Sequence, residues 1–205
     1  MLLSETETRA ICEQLLSFTK AEDASAGVSS NDLSHLRFAA NSFTTCGRRE
    51  SESASITVWI DQKRGSASAS NLEEASLRMA VAQAEELARL APVDKEYLPT
   101  LGAQTYHPAG GYVEATSNLS VADRAQAIDD IIRRCEKADV LGAGFHHANG
   151  SASGFAAKNG NFHYQRSSLV SLSVTARTRD GGSSGYFLRN HFDIAKLNTE
   201  RIGRE

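Results

Sequence analysis

The sequence predicts an α+β fold made of two related helix–antiparallel-strands–helix units. Their sheets are each packed on one side by helices, and the second unit is cut short in its closing helix. Three observations carry this prediction. Several short segments alternate apolar and small or polar residues, the period of a half-buried strand. Other segments open with a capping residue and continue with an apolar stripe at helical spacing. The same order of segments then occurs twice along the 205 residues.

The first helix opens at Ser4-Glu5-Thr6-Glu7, a capping-box spacing, and carries Ile11, Leu15 and Phe18 on one face. LSHLRFAANSFTT at 33–45 follows with the β-branched and aromatic residues of a strand. ASITVWID puts Ile56, Val58 and Ile60 on one face, the turn QKRG follows, and GSASAS continues as an extended small-residue segment. Asn71-Leu72-Glu73-Glu74 reads as a second helix start. Behind it, Leu72, Ala75, Met79, Ala82, Leu87 and Leu90 form the expected inward stripe, with Met79 as core filler.

All three prolines, Pro92, Pro99 and Pro108, fall in APVDKEYLPTLGAQTYHPAGGY. Proline removes a backbone donor and biases the preceding residue away from helix. The expected organisation is therefore a first unit at 1–91, a proline-containing connector at 92–119 and a second unit at 120–205.

The second unit starts with a helix at Ser120 that turns Val121, Ala125, Ile128, Ile132 and Cys135 inward. VLGAGFHHANG reads as a strand, and SGFAAKNGNFHYQ as a hairpin about Asn159-Gly160. In SLVSLSVTART, Leu169, Ser171 and Ser173 alternate with Val170, Leu172 and Val174. RDGG turns the chain into SSGYFLRN. FAAN at 38–41 matches FAAKN at 155–159, and ITVWIDQKRGSAS at 56–68 matches LSVTARTRDGGSS at 172–184 with one extra glycine. This correspondence reads as two copies of one unit. Convergence of two ordinary hairpin units is the alternative. At the C-terminal end Asn198 can cap a last helix, with Leu197 and Ile202 at the spacing of a hydrophobic staple.

Composition narrows the function classes. A net charge of -3 without a basic stripe argues against nucleic acid as the main partner. No stretch approaches the roughly 18 unbroken apolar residues of a membrane span, and the N-terminus has no basic leader before an apolar core. Cys12, Cys46 and Cys135 are three in number and far apart, so they read as reduced cysteines of a cytoplasmic protein.

Motifs that carry chemistry are scarce. Neighbouring strand residues point to opposite faces, so His146 and His147 cannot clamp one ion, and His163 alone adds too little for zinc. No histidine is followed by glutamate. GSASG at 150–154 places Ala152 where a nucleophile elbow needs serine. RDGGSSG lacks the Gly-Lys-Ser/Thr ending of a phosphate loop. Asp123, Asp129 and Asp130 read as a solvated helix surface rather than an acid–base pair. Neither a catalytic nor a metal site is expected in this chain.

The ordered series HLRFAANSFTT, SITVWIDQKRGSASASNLEEASLRMAVAQAEELARLAP, LPTLGAQTY, VLGAGFHHANGSASGFAAKNGNFHYQRS and SVTARTRDGGSSGYFLRNHFDIAKLNTERIGRE resembles the N-terminal part of the TldD/PmbA family from about Leu33 onward. That family is known as modulators of DNA gyrase and as metallopeptidases that trim unfolded or modified peptides. The resemblance implies a two-subunit assembly, homo- or hetero-oligomeric, in which zinc resides in a metal-bearing subunit. The His-Glu-x-x-x-His helix of that subunit lies in the C-terminal half and has no counterpart here, so no catalytic residue carries over. LAPVDKEYLPTLGAQTY looks more like the PmbA-type partner.

The function so implied is that of a non-catalytic N-terminal region shaping a peptide-binding cavity. Gly65, Ser66, Gly181, Gly182 and Ser183 are the places where a peptide backbone could approach. The alternative is a stand-alone binding module acting on a protein partner such as gyrase.

Overall fold

The computed structural model describes residues 1–197. Its elements are α1 (Glu5–Phe18), β1 (Asp23–Ala39), β2 (Ser42–Ile60), β3 (Lys63–Ala69), α2 (Glu74–Leu90), α3 (Glu114–Ser117), α4 (Val121–Lys137), β4 (Val140–Ala157), β5 (Phe162–Thr178) and β6 (Ser184–His191), then a 3₁₀ turn at Ile194–Lys196. The strands form one six-stranded antiparallel sheet in the order β3-β2-β1-β4-β5-β6. The predicted α+β class is thus observed, with the strands of both repeats joined in a single sheet. Each repeat is a helix followed by a three-stranded meander, α1-β1-β2-β3 and α4-β4-β5-β6. The last helix expected from Asn198 lies outside the described residues.

The turns explain where the strand reading needs correction. LSHLRFAANSFTT is not one strand: β1 ends at Ala39, and Ala40 and Asn41 take φ of 50° and 58°. Asp61 and Gln62 do the same at 51° and 62°, and the pair Ile60↔Lys63 closes a two-residue loop. Such left-handed pairs match the twist of the flanking strands, and Asn and Asp tolerate them better than most residues. Gly160 and Gly181 supply the positive φ in the two turns of the second repeat.

Two compact units emerge, each drawn from three stretches of chain. The first comprises Met1–Asn31, Glu50–Ala109 and Ala152–Arg166. Its core holds Cys12 and Leu15 of α1, Ala24, Ala26 and Val28 of β1, Ile56 and Val58 of β2, and Leu77, Ala80, Val81, Ala84 and Ala88 of α2. Ser4 caps α1 through the expected reciprocal box with Glu7. Asn71 does not cap α2; its side chain accepts from the Glu73 amide at 3.1 Å, and the helix begins at Glu74. The expected α2 stripe is also displaced: Met79 and Leu90 are 66 % and 76 % exposed, and the buried face is mostly alanine. The cause lies under the helix. A Cβ on buried Gly65 would collide with the Ala84 carbonyl and the Ala88 amide, so α2 rides directly on the β3 backbone.

The proline segment is pinned to this unit as far as Ala109. Buried Asp23 accepts from the Thr100 amide (2.8 Å), the Thr100 hydroxyl (2.6 Å) and the Tyr97 hydroxyl (3.0 Å). Tyr106 donates to Asn161 and stacks on His163 at 4.3 Å.

The second unit comprises Asp32–Arg49, Gly110–Ser151 and the chain from Ser167. Leu36 and Phe38 of β1 meet Ile128, Ile131, Ile132 and Cys135 of α4 and Val170, Leu172 and Val174 of β5. Ser120 caps α4 by accepting from the Asp123 amide at 3.0 Å. Val121, expected inward, is 52 % exposed, and Arg124 takes a place on the buried face. No helix among the described residues is long and apolar enough to cross a membrane.

Candidate functional site

The most distinctive polar arrangement is a cleft of about 390 Å³ within the second unit. Asp32 and Ser34 reach it from β1, Cys46 and Arg48 from β2, and the start of α4 contributes Ser120 and Arg124. The alternation of β1 turns its even-numbered residues to the packed side of the sheet, which brings Asp32 toward the helix N-terminus.

Arg124 is 1 % exposed. Its Nη1 donates to the Leu119 carbonyl (2.6 Å) and to the Ser34 hydroxyl (2.7 Å), and its Nε is buried without a hydrogen-bond partner. Burial pulls its pKa below the ordinary arginine value, opposed by Cys46, Asp123 and Asp32. An arginine starts from so high a value that it keeps its charge. Asp123 does not engage it directly, because its carboxylate accepts from the Ser120 hydroxyl at 2.6 Å.

Asp32 is occupied elsewhere. It accepts from Arg48 Nε at 2.8 Å and Nη2 at 2.5 Å, a two-pronged ion pair whose arginine end is largely exposed. These hydrogen bonds hold the Asp32 carboxyl below the usual aspartate range, outweighing the opposing effect of burial. A carboxyl depressed in the folded state stabilises the fold above its unfolded pKa of about 3.9, and that contribution is lost as pH falls through the folded value. Asp32→Asn is therefore expected to cost about 1 kcal/mol at pH 7. The deficit should shrink toward zero in acid, measured by urea titrations across that range. Parallel stability curves for the two proteins would contradict it.

His146 and His147 occupy opposite faces of β4, as expected. His146 is 1 % exposed with an unpartnered Nδ1, while His147 lies 5.4 Å from the Phe145 ring, which itself stacks on His35. Burial depresses both, His146 to about 4. Among the described residues, no group of three or more His, Cys, Asp or Glu side chains is placed to hold a metal ion.

The residues singled out for peptide contact fall into two sets. Gly65 and Ser66 lie on β3 in the first unit, where Gly65 is covered by α2 and Ser66 shares a 2.9 Å hydrogen bond with Thr57. Gly181, Gly182 and Ser183 form the β5–β6 turn of the second unit. There Asp180 accepts from the Gly182 amide, and Thr178 and Ser183 exchange main-chain and hydroxyl hydrogen bonds. None of the five lines the Arg124 cleft. Arg124 escaped the sequence reading because a charged residue is taken as solvent-facing. Its spacing carried the signal, since Arg124, Ile128, Ile131 and Cys135 follow the i, i+4, i+7, i+11 progression of one helix face.

Comparison with known proteins bears out the resemblance read from the sequence. Residues 24–88 match the family model described as PmbA/TldA metallopeptidase domain 1. No curated protein matches the chain. Among solved structures, TldE from Thermococcus kodakarensis superposes with a TM-score of 0.82 at 13 % identity, over 96 % of this chain and 45 % of that one. A proposed modulator of DNA gyrase from Thermotoga maritima gives 0.82 at 19 % identity, over 96 % and 46 %. Another, from Bacteroides thetaiotaomicron, gives 0.80 at 14 % identity, over 99 % and 49 %. The chain shares their fold and spans less than half the length of each.

Proposed function

We propose that this chain, whose residues 24–88 match a PmbA/TldA metallopeptidase first domain, acts as a non-catalytic N-terminal region that shapes a peptide-binding cavity in a two-subunit protease assembly. The observation that carries this reading is the fold shared over 96 % of the chain with structures of about twice its length. Two features support the peptide role. The small-residue segment Gly181-Gly182-Ser183 leads into β6 and exposed Ser66 lies on β3, the edge strands of the sheet, whereas Gly65 is covered by α2. An edge strand offers unpaired backbone groups to an extended peptide.

Zinc does not fit the described residues. His146 and His147 diverge, no third ligand joins either among the described residues, and no hydrolytic step is assigned to this chain. A metal-activated water belongs instead to a metal-bearing family subunit.

The test is direct. Purified chain mixed with a fluorescent unfolded peptide and zinc should raise the peptide's anisotropy without cleaving it. Chelator-sensitive cleavage would overturn the non-catalytic assignment, and absence of binding would overturn the peptide role. Two structural relatives are described as proposed modulators of DNA gyrase, which favours a second reading, a binding module for a protein partner. It predicts that the chain alone alters gyrase supercoiling, whereas the first reading predicts no effect.

A further inference from the structure

We infer that the cleft floored by Arg124 is a binding site for a monoanionic carboxylate, such as a peptide C-terminus. A buried guanidinium is costly unless an anion or a full set of acceptors compensates it. Here Nη1 has two acceptors, Nε has none, and Nη2 makes no hydrogen bond among the described residues. The Nε and Nη2 hydrogens form the edge of the guanidinium that a carboxylate accepts in two-pronged fashion. The neighbouring carboxylates do not supply that partner: Asp32 is bound to Arg48 and Asp123 to Ser120. The start of α4 adds the positive end of a 17-residue helix on the same wall.

Charge arithmetic selects the ligand class. Asp32 is held by Arg48, which leaves Arg124 as the one charge of the lining without an ion-pair partner among the described residues. Asp123, which accepts from the neutral Ser120 hydroxyl at the same helix start, offsets part of its field. One positive charge beside a fixed carboxylate suits a monoanion and disfavours a phosphate dianion. A volume of about 390 Å³ is at the small end of ligand pockets, enough for a terminal residue or a small acid.

Cys46 provides the readout. It is exposed in the same cleft, whereas Cys12 and Cys135 are buried and burial pushes both thiols up, Cys12 to about 12. Alkylation of Cys46 by iodoacetamide in the 205-residue chain should slow by the factor 1 + [L]/Kd, about tenfold when ligand is ten times Kd. The probes are an N-acetylated tripeptide free acid, its C-terminal amide, acetate and inorganic phosphate at matched ionic strength. Protection by the free acid and not by the amide is expected and identifies a peptide C-terminus. Equal protection by acetate also supports the site and makes a small carboxylic acid the source. Protection by phosphate alone, by acid and amide equally, or by none of the probes overturns the proposal. Arg124→Met should abolish protection, and protection that survives the substitution overturns it too. If that variant does not fold, the free acid and amide compared on the unaltered chain still decide.

Discussion

Gly65→Ala is expected to lower stability by about 3 kcal/mol, the upper end of the usual cost of overpacking. The added methyl would sit against the Ala84 carbonyl and the Ala88 amide, which are helix backbone and cannot rotate aside as a side chain can. Relief requires lifting α2 off β3. That would uncover Ala80, Ala84 and Ala88, all at most 4 % exposed, across their contact with the sheet. Trp59, the only tryptophan, pairs with Arg64 one register step from the Val58↔Gly65 pair, so its fluorescence follows the site during urea unfolding. Gly110→Ala is the control. A methyl there meets nothing within 4 Å, and its effect should stay within about 0.5 kcal/mol. A Gly65→Ala protein as stable as the parent would show that α2 does not depend on this close approach.

The same contact explains why α2 turns inward a different face from the one its spacing predicts, whereas in α4 Val121 alone of the expected stripe is exposed. Strand faces were legible where alternation was strict: Ile56 and Val58, then Val170, Leu172 and Val174, are buried as their spacing requires. The caps at Ser4 and Ser120 were legible because hydroxyl and acidic side chains stood at the required offsets. In α2 the largest apolar residues looked like the natural inward face. Where α2 rests on Gly65 only small side chains fit beneath it, and Ala84 and Ala88 occupy that stretch. Leu77, Ala80 and Val81 complete the buried face, while Met79, Leu87 and Leu90 remain outside. The turn at Ala40-Asn41 was hidden for a different reason, since alanine gives no hint of positive φ and the run of strand formers continues past it. Arg124 shows the limit for the site itself. Its spacing placed it inward, but no local pattern says that its partners would be the Ser34 hydroxyl, 90 residues away in sequence, and a carbonyl rather than a carboxylate.

Acid is expected to remove about 3 kcal/mol of stability through His146 alone. Burial is the larger cause of its depressed pKa of about 4, and the nearby positive charge of Arg124 is the next. In the unfolded chain the imidazole returns to about 6.5. Between those two values the unfolded state binds a proton that the folded state refuses, so stability falls as pH drops through the window. The loss is complete once both states are protonated, below about 4. Asp32 contributes in the same direction but lower, because its carboxyl titrates below the ordinary aspartate value. The histidine is isolated by comparison with His146→Gln, which keeps a neutral polar side chain of similar size and cannot take up the proton. The gap in unfolding free energy between the two proteins should change by about 3 kcal/mol from pH 7.5 to pH 4. A gap that stays constant over that range would mean that His146 is protonated in the fold as readily as outside it. Because burial is the larger cause, that outcome would speak first against the desolvation of His146 and only second against the nearby positive charge of Arg124.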